Sequence, residues 1–113
     1  MFNILFPYIS KSGINVNKLK VGDKVVVDTA NSTYHITILE GCRVVVQGGK
    51  YFPTPTEELF AGCTLGANSI RLGWICPSLR MEFGTPLYRI LTSPVKNAIV
   101  YVDNRSYNFH WDN

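Results

Sequence analysis

Two runs of three consecutive valines, Val25-Val26-Val27 and Val44-Val45-Val46, constrain this chain more than any other feature. Branching at Cβ limits χ1 and suits the pleated backbone, so each run predicts a buried strand. Between them Thr33 to Glu40 alternates, with Tyr34, Ile36 and Ile38 on one face and His35, Thr37 and Leu39 on the other. Asn31-Ser32 and Glu40-Gly41 supply turn residues between the runs. Lys24 to Thr29, Thr33 to Glu40 and Cys42 to Gln47 therefore predict an antiparallel meander.

The second half repeats the signal with glycine and proline punctuation. Ser69 to Ile75 reads as a strand with Gly73 as a bulge or a close backbone approach. In Leu79 to Phe83, residues Leu79, Met81 and Phe83 point in while Arg80 and Glu82 point out. Leu87 to Thr92 and Ala98 to Val102 follow as separate strands, because Pro94 bars its position from a central ladder. One helix is expected, from Thr56 to Ala61, of about two turns. Thr54 suits its N-cap, Pro55 its first position, Glu57 its capping box and Gly62 its stop. Leu59 and Phe60 would pin it to the sheet. In the tail, Tyr107, Phe109 and Trp111 alternate, so residues 103–113 predict a final strand or an arm that docks on another subunit. The apolar N-terminal stretch reads as an edge strand or a docked segment.

These elements predict an all-β fold of about seven strands and one short helix, since short strands with Gly and Pro turns make small closed or layered sheets. The architecture is a small, strongly bent antiparallel barrel, with an SH3-like arrangement one option, or a sandwich. At 113 residues the chain is one domain, long enough to bury a core without a metal or disulfide. Charged residues make up 17%, below the roughly 25% of average soluble domains, which points to a surface covered by a partner. The net charge of +3 is mild, and its one local excess, Lys18, Lys20 and Lys24, is interrupted by Asp23. That pattern reads as a solvated face rather than a dedicated nucleic-acid surface. Cys42, Cys63 and Cys76 have no zinc-ligand spacing and an odd count, which predicts reduced core cysteines and a cytoplasmic location. Neither a signal peptide nor a membrane span is expected.

The runs Thr29-Ala30-Asn31-Ser32-Thr33-Tyr34, Gly48-Gly49-Lys50-Tyr51-Phe52-Pro53, Leu79-Arg80-Met81-Glu82-Phe83 and Thr92-Ser93-Pro94-Val95 resemble a family of small uncharacterised bacterial β-rich proteins. The resemblance extends from about Leu19 to Ile99. Where that family tends to have Gly-Gly-Ser, this chain has Gly66-Ala67-Asn68-Ser69. The resemblance implies a bacterial origin and a compact β fold, and it implies no activity.

Chemistry is sparse. His35 is the best-placed titratable side chain, but catalysis by histidine needs a nucleophile or carboxylate that the sequence does not place beside it. His110 lies in the tail. Asp23 and Asp28 flank one strand on opposite faces, and Glu57-Glu58 is accounted for by helix capping. Cys63 and Cys76 fall near expected loops and read as packing residues. Gly48-Gly49-Lys50 lacks the strand, loop and helix of a phosphate-binding loop, and Gly62 and Gly66 complete no dinucleotide fingerprint. The most suggestive set is Arg71, Arg80 and Arg89, which form one stripe if their strands are neighbours. Tyr51, Phe52, Trp74 and Tyr88 would then offer stacking surfaces. The plainer reading pairs these arginines with Glu82 and other acids and buries the aromatics.

A non-enzymatic binding or assembly module is the resulting expectation, self-associating or bound to another protein, with no cofactor, metal or membrane. The rivals are a barrel that binds single-stranded nucleic acid through those arginines and aromatics, and a small ligand-binding barrel or enzyme. The second would have its pocket near His35, Tyr34 and the Gly66–Ser69 loop.

Overall fold

The computed structural model describes residues 9–10, 13–66, 69–85 and 87–110. Its strands are β1 Ile9–Ser10, β2 Gly13–Asn15, β3 Lys24–Thr29, β4 Thr33–Ile38, β5 Arg43–Gly48 and β6 Phe52–Gly66. They continue with β7 Ser69–Leu72, β8 Trp74–Ile75, β9 Arg80–Thr85, β10 Tyr88–Val102 and β11 Arg105–His110. A single 3₁₀ turn, Val16–Lys18, is the helical structure among the described residues. The fold is all-β and every pairing is antiparallel.

Two long bent strands organise it. The first half of β10 pairs with β9 and its second half with β3. The first half of β6 pairs with β5 and its second half with β9 and β7. The path β10-β3-β4-β5-β6-β9 therefore returns to β10 as a closed ring, with β7 and β11 as outer edges and β1-β2-β8 a small separate sheet. Closure satisfies backbone groups that an open sheet would leave at its rims.

The meander forms as expected, with β3 at the predicted limits. Its inner face carries Val25, Val27, Tyr34, Ile36, Ile38, Val44 and Val46, all buried. Phe52, Phe60 and Phe83 meet them from the far wall. Phe83 lies edge-on to Phe52 at 5.4 Å between ring centres and tilted on Phe60 at 5.5 Å. Met81, Val95, Ala98 and Val100 add to this core, and Ile14, Ile75, Cys63 and Cys76 extend it toward the small sheet.

The expected helix at Thr56 to Ala61 is not formed. Those residues lie inside β6, paired Thr56 to Val46, Glu57 to Val45 and Glu58 to Val44. A two-turn helix must form its own costly nucleus, whereas this segment finds a ready valine strand to pair with. Capping chemistry is put to other uses: Glu57 pairs with Arg43 across the strands, and Glu58 accepts from the Tyr88 hydroxyl at 2.8 Å. Pro53 and Pro55 are tolerated because this half of β6 has β5 on one side only.

Pro94 does not divide two strands either. It stands opposite Arg80 as the last β10 residue on β9, Val95 is the first on β3, and the missing N–H falls at the register shift between Leu91 and Pro94. The Pro94 carbonyl still accepts from the Ala30 amide at 2.9 Å. The strand expected over Ser69 to Ile75 is interrupted by a turn at Gly73, giving β7 and β8. The tail folds onto its own sheet: β11 pairs with β10, and Tyr107 and Phe109 pack on the core. Asp103 and Asn104, both with positive φ, make the two-residue turn, as such hairpins require. Trp111 lies outside the described residues.

Three of the four segments that carry the resemblance converge on the β10 bend. Ser93 Oγ donates to Thr29 Oγ1 at 2.7 Å and accepts from the Asn31 amide at 3.0 Å. Thr92 Oγ1 accepts from the Met81 amide at 3.0 Å. The fourth segment contains Gly48, at φ +148°, where an added Cβ would stand 2.2 Å from the Thr33 carbonyl oxygen. These four segments thus hold corners of the fold.

Candidate functional site

The densest chemistry lies where the β6–β7 hairpin meets β8. β6 shifts register between Phe60 and Gly62. Gly62 has φ +144°, and a Cβ there would lie 2.2 Å from the Arg71 carbonyl oxygen, so only glycine lets β7 approach this closely. The shift turns Cys63 inward, where it is fully buried, paired with Arg71 on one side and Met81 on the other. β8 then returns the chain so that Cys76 follows Ile75 against the same spot.

Here the Cys76 amide donates to Cys63 Sγ at 3.2 Å, and Arg71 Nη1 donates to Cys76 Sγ at 3.8 Å. The Arg71 guanidinium stacks 3.6 Å over the Trp74 ring. A cation–π contact of this kind contributes about 1 kcal/mol and fixes the guanidinium in place. The hydrogen bond from the Cys63 thiol to Cys76 separates the two acidities. Donating it, together with burial, pushes Cys63 far up. Accepting it lowers Cys76 to about 7, helped by Arg71 and opposed by burial. A depression of about 200 Å³ lined by Cys63, Thr64, Leu65, Ile70, Arg71 and Leu79 opens beside the pair. The sequence predicted both cysteines near loops; Cys76 does follow β8, but Cys63 lies inside β6, and their meeting across 13 residues depends on the hairpin. Cys42, expected in the core, is instead exposed in the turn before β5, which has no inward side.

The arginine stripe is not assembled. β7 and β9 are not neighbours, because β6 runs between them. Arg71 turns to Trp74 and Cys76. Arg80 donates to the Thr92 carbonyl at 3.1 Å, and Arg89 grips Glu82 with both Nε and Nη2, at 3.0 and 3.1 Å. Of the aromatics, Phe52 is core, Tyr51 is exposed with Lys50 Nζ 5.2 Å above its ring, and Tyr88 is held by Glu58. Donating to that carboxylate raises the Tyr88 hydroxyl above its ordinary value.

His35 and Tyr34 are separated by the pleat. Tyr34 points into the ring, where burial raises its hydroxyl. His35 faces out between Val26 and Gln47. It lines an open groove of about 980 Å³ with Lys24, Thr37, Tyr101, Asp103 and Arg105. Lys20 closes one side through an ion pair to Asp103 at 3.3 Å. Of the loop expected to complete a pocket near these residues, positions 67 and 68 lie outside the described residues.

Among the described residues no group of three His, Cys, Asp or Glu side chains is placed to hold a metal ion. No helix among them is long and apolar enough to cross a membrane. Compared with protein families, curated proteins and solved structures, the chain matches none of them.

Proposed function

We propose that this protein is a non-enzymatic binding module that associates with a second copy of itself through the β6–β7 hairpin. The observation that carries this reading is an open strand edge beside exposed aliphatic residues. Among the described residues, β7 ends the strand path with β6 on one side only. Leu65, Ile70 and Leu72 on the same hairpin are 77%, 39% and 69% exposed. An edge of this kind invites a further strand, and aliphatic neighbours give that pairing its hydrophobic share. The low charge of the chain agrees with a covered surface. Free thiols at Cys42, Cys63 and Cys76 favour a reducing, cytoplasmic setting, and the resemblance noted above favours a bacterial source.

Sedimentation velocity from low to high micromolar concentration tests the reading. Association is expected to strengthen with concentration and to be lost in an Ile70→Lys, Leu72→Lys variant that keeps its β-sheet circular dichroism. A parent chain that stays monomeric throughout overturns it.

The open groove supports a second reading, single-stranded nucleic-acid binding. It joins Tyr101 and His35 as stacking surfaces to Lys24 and Arg105 as phosphate contacts. Oligonucleotide affinity that falls steeply with salt and drops in Tyr101→Ala would favour it. An absence of binding at low salt dismisses it.

A further inference from the structure

We propose that Cys63 and Cys76 are a redox-active dithiol pair, interconverting with a disulfide, in which Cys76 reacts first with a hydroperoxide and Arg71 holds its thiolate. Neither the binding edge nor the groove needs such a pair, although Leu65 and Ile70 belong both to that edge and to the depression beside the cysteines.

Geometry is the first support. Cys63 in β6 and Cys76 just after β8 are brought side by side, with the Cys76 amide pointing at Cys63 Sγ from 3.2 Å. A packing role would be served by any two small apolar side chains. It does not call for a guanidinium on one sulfur, yet Arg71 is directed there and is braced from behind by Trp74. Reactive cysteines are found in electropositive settings of this type, while inert core cysteines lack them. Access is the second support. Arg71 is itself exposed, lines the small depression together with Cys63, and carries its guanidinium to the sulfur of Cys76, which is buried and does not itself line the depression. The acidities follow the same division of labour, with Cys76 the lower and Cys63 the higher.

The chemistry balances with a hydroperoxide as oxidant. The Cys76 thiolate attacks the nearer peroxide oxygen and the O–O bond breaks. Cys76 becomes a sulfenic acid, and the departing oxygen takes a proton and leaves as water or alcohol. Cys63 sulfur then attacks the sulfenic sulfur and forms the S–S bond. Its own proton leaves with the displaced hydroxide as a second water. Two thiols and one peroxide thus give one disulfide with two electrons passed to oxygen. A dithiol reductant reverses the change by thiol–disulfide exchange.

The test uses the full chain carrying Cys42→Ser, which removes the exposed third thiol and touches neither sulfur of the pair. After hydrogen peroxide the protein is denatured, alkylated and mapped by mass spectrometry. Cys63 and Cys76 are expected to be lost to alkylation together, with the intact mass falling by two hydrogens and dithiothreitol restoring both. Adding Cys63→Ser is expected to stop the reaction at a sulfenic acid on Cys76, trapped by dimedone. Adding Arg71→Gln, at an exposed position, is expected to slow oxidation at pH 7 on the order of tenfold, because the thiolate fraction falls. Full alkylation of both cysteines after peroxide overturns the proposal. So does independent oxidation of each to sulfinic acid, and that measurement needs no buried substitution. An Arg71→Gln chain that oxidises at the parent rate overturns the role given to Arg71.

Discussion

In the wall made by β3, β4 and β5, Val25 faces Ile36, Ile36 faces Val46, and the alternation of buried and exposed residues barely falters. In the corner made by β6, β7, β8 and β9, the ladders shift twice and glycines adopt φ values other residues avoid. Most of the wall's polar side chains face outward, with Thr29 and Tyr34 the buried ones. The corner buries two thiols and aims an arginine at one of them. Regular pairing leaves each side chain a single choice, in or out, so a regular wall is good at holding a core and poor at gathering reactive groups. Register shifts cost ladder hydrogen bonds but rotate side chains into contacts that the pleat alone would forbid.

That contrast can be broken by mutation. The largest effect is expected at Phe83, where both walls meet. Phe83→Ala leaves a cavity between Phe52 and Phe60 and should cost about 3–5 kcal/mol in urea unfolding. By contrast, Val26→Thr on the outer face of the wall should stay within about 0.5 kcal/mol, since it lies away from the core contacts. A cost at position 26 comparable to that at Phe83 would mean the two faces are not distinct.

Gly62→Ala comes next, at about 1–3 kcal/mol, because the new Cβ meets the Arg71 carbonyl at a φ suited to glycine. Its informative readout is alkylation in the Cys42→Ser chain, where loosening the hairpin should expose Cys63 and Cys76 and speed their labelling.

The pH dependence of that labelling sharpens the comparison further. Cys76 lies below the ordinary thiol value, so its iodoacetamide rate should rise through about pH 7, while Cys63, pushed up, stays unreactive. Removing the Arg71 charge takes away a contribution that lowers Cys76, so Arg71→Gln should move the rise to higher pH. A rise unchanged in Arg71→Gln would place the cause wholly in Cys63. The smallest effect is expected back on the wall. The Arg43–Glu57 pair is half exposed, and a double-mutant cycle should give a coupling below about 1 kcal/mol that shrinks with salt.

The legibility of the sequence follows the same division. Lys24 to Thr29 was readable to the residue because β-branching and alternation act within a few positions. Met81 and Phe83 were readable as inward for the same reason, while Phe60 was read as buried but on a helix that does not form. Thr54 to Gly62 misled, since a capping pattern is a local preference of about 1 kcal/mol and a facing strand outweighs it. Pro94 misled in the opposite sense: a residue that ends a ladder can also mark where a continuous strand changes partner. At the candidate site, Arg71 and Trp74 could be singled out from residue type, whereas Cys63 and Cys76 read as packing residues. Their mutual contact could not, because no period or spacing encodes a hairpin that folds over a third strand.

Composition and period-two patterning determined by themselves that the chain is all-β, which faces of its regular strands are buried, and where most reversals fall. These are short-range properties, set by side-chain branching and by the exclusion of apolar groups from water. Only the tertiary structure decided that the sheet closes through two bent strands, that Arg80 and Arg89 serve ordinary surface contacts, and that Arg71, Cys63 and Cys76 converge. Those outcomes depend on register between segments far apart in the chain, where a shift of one residue turns every side chain to the opposite face.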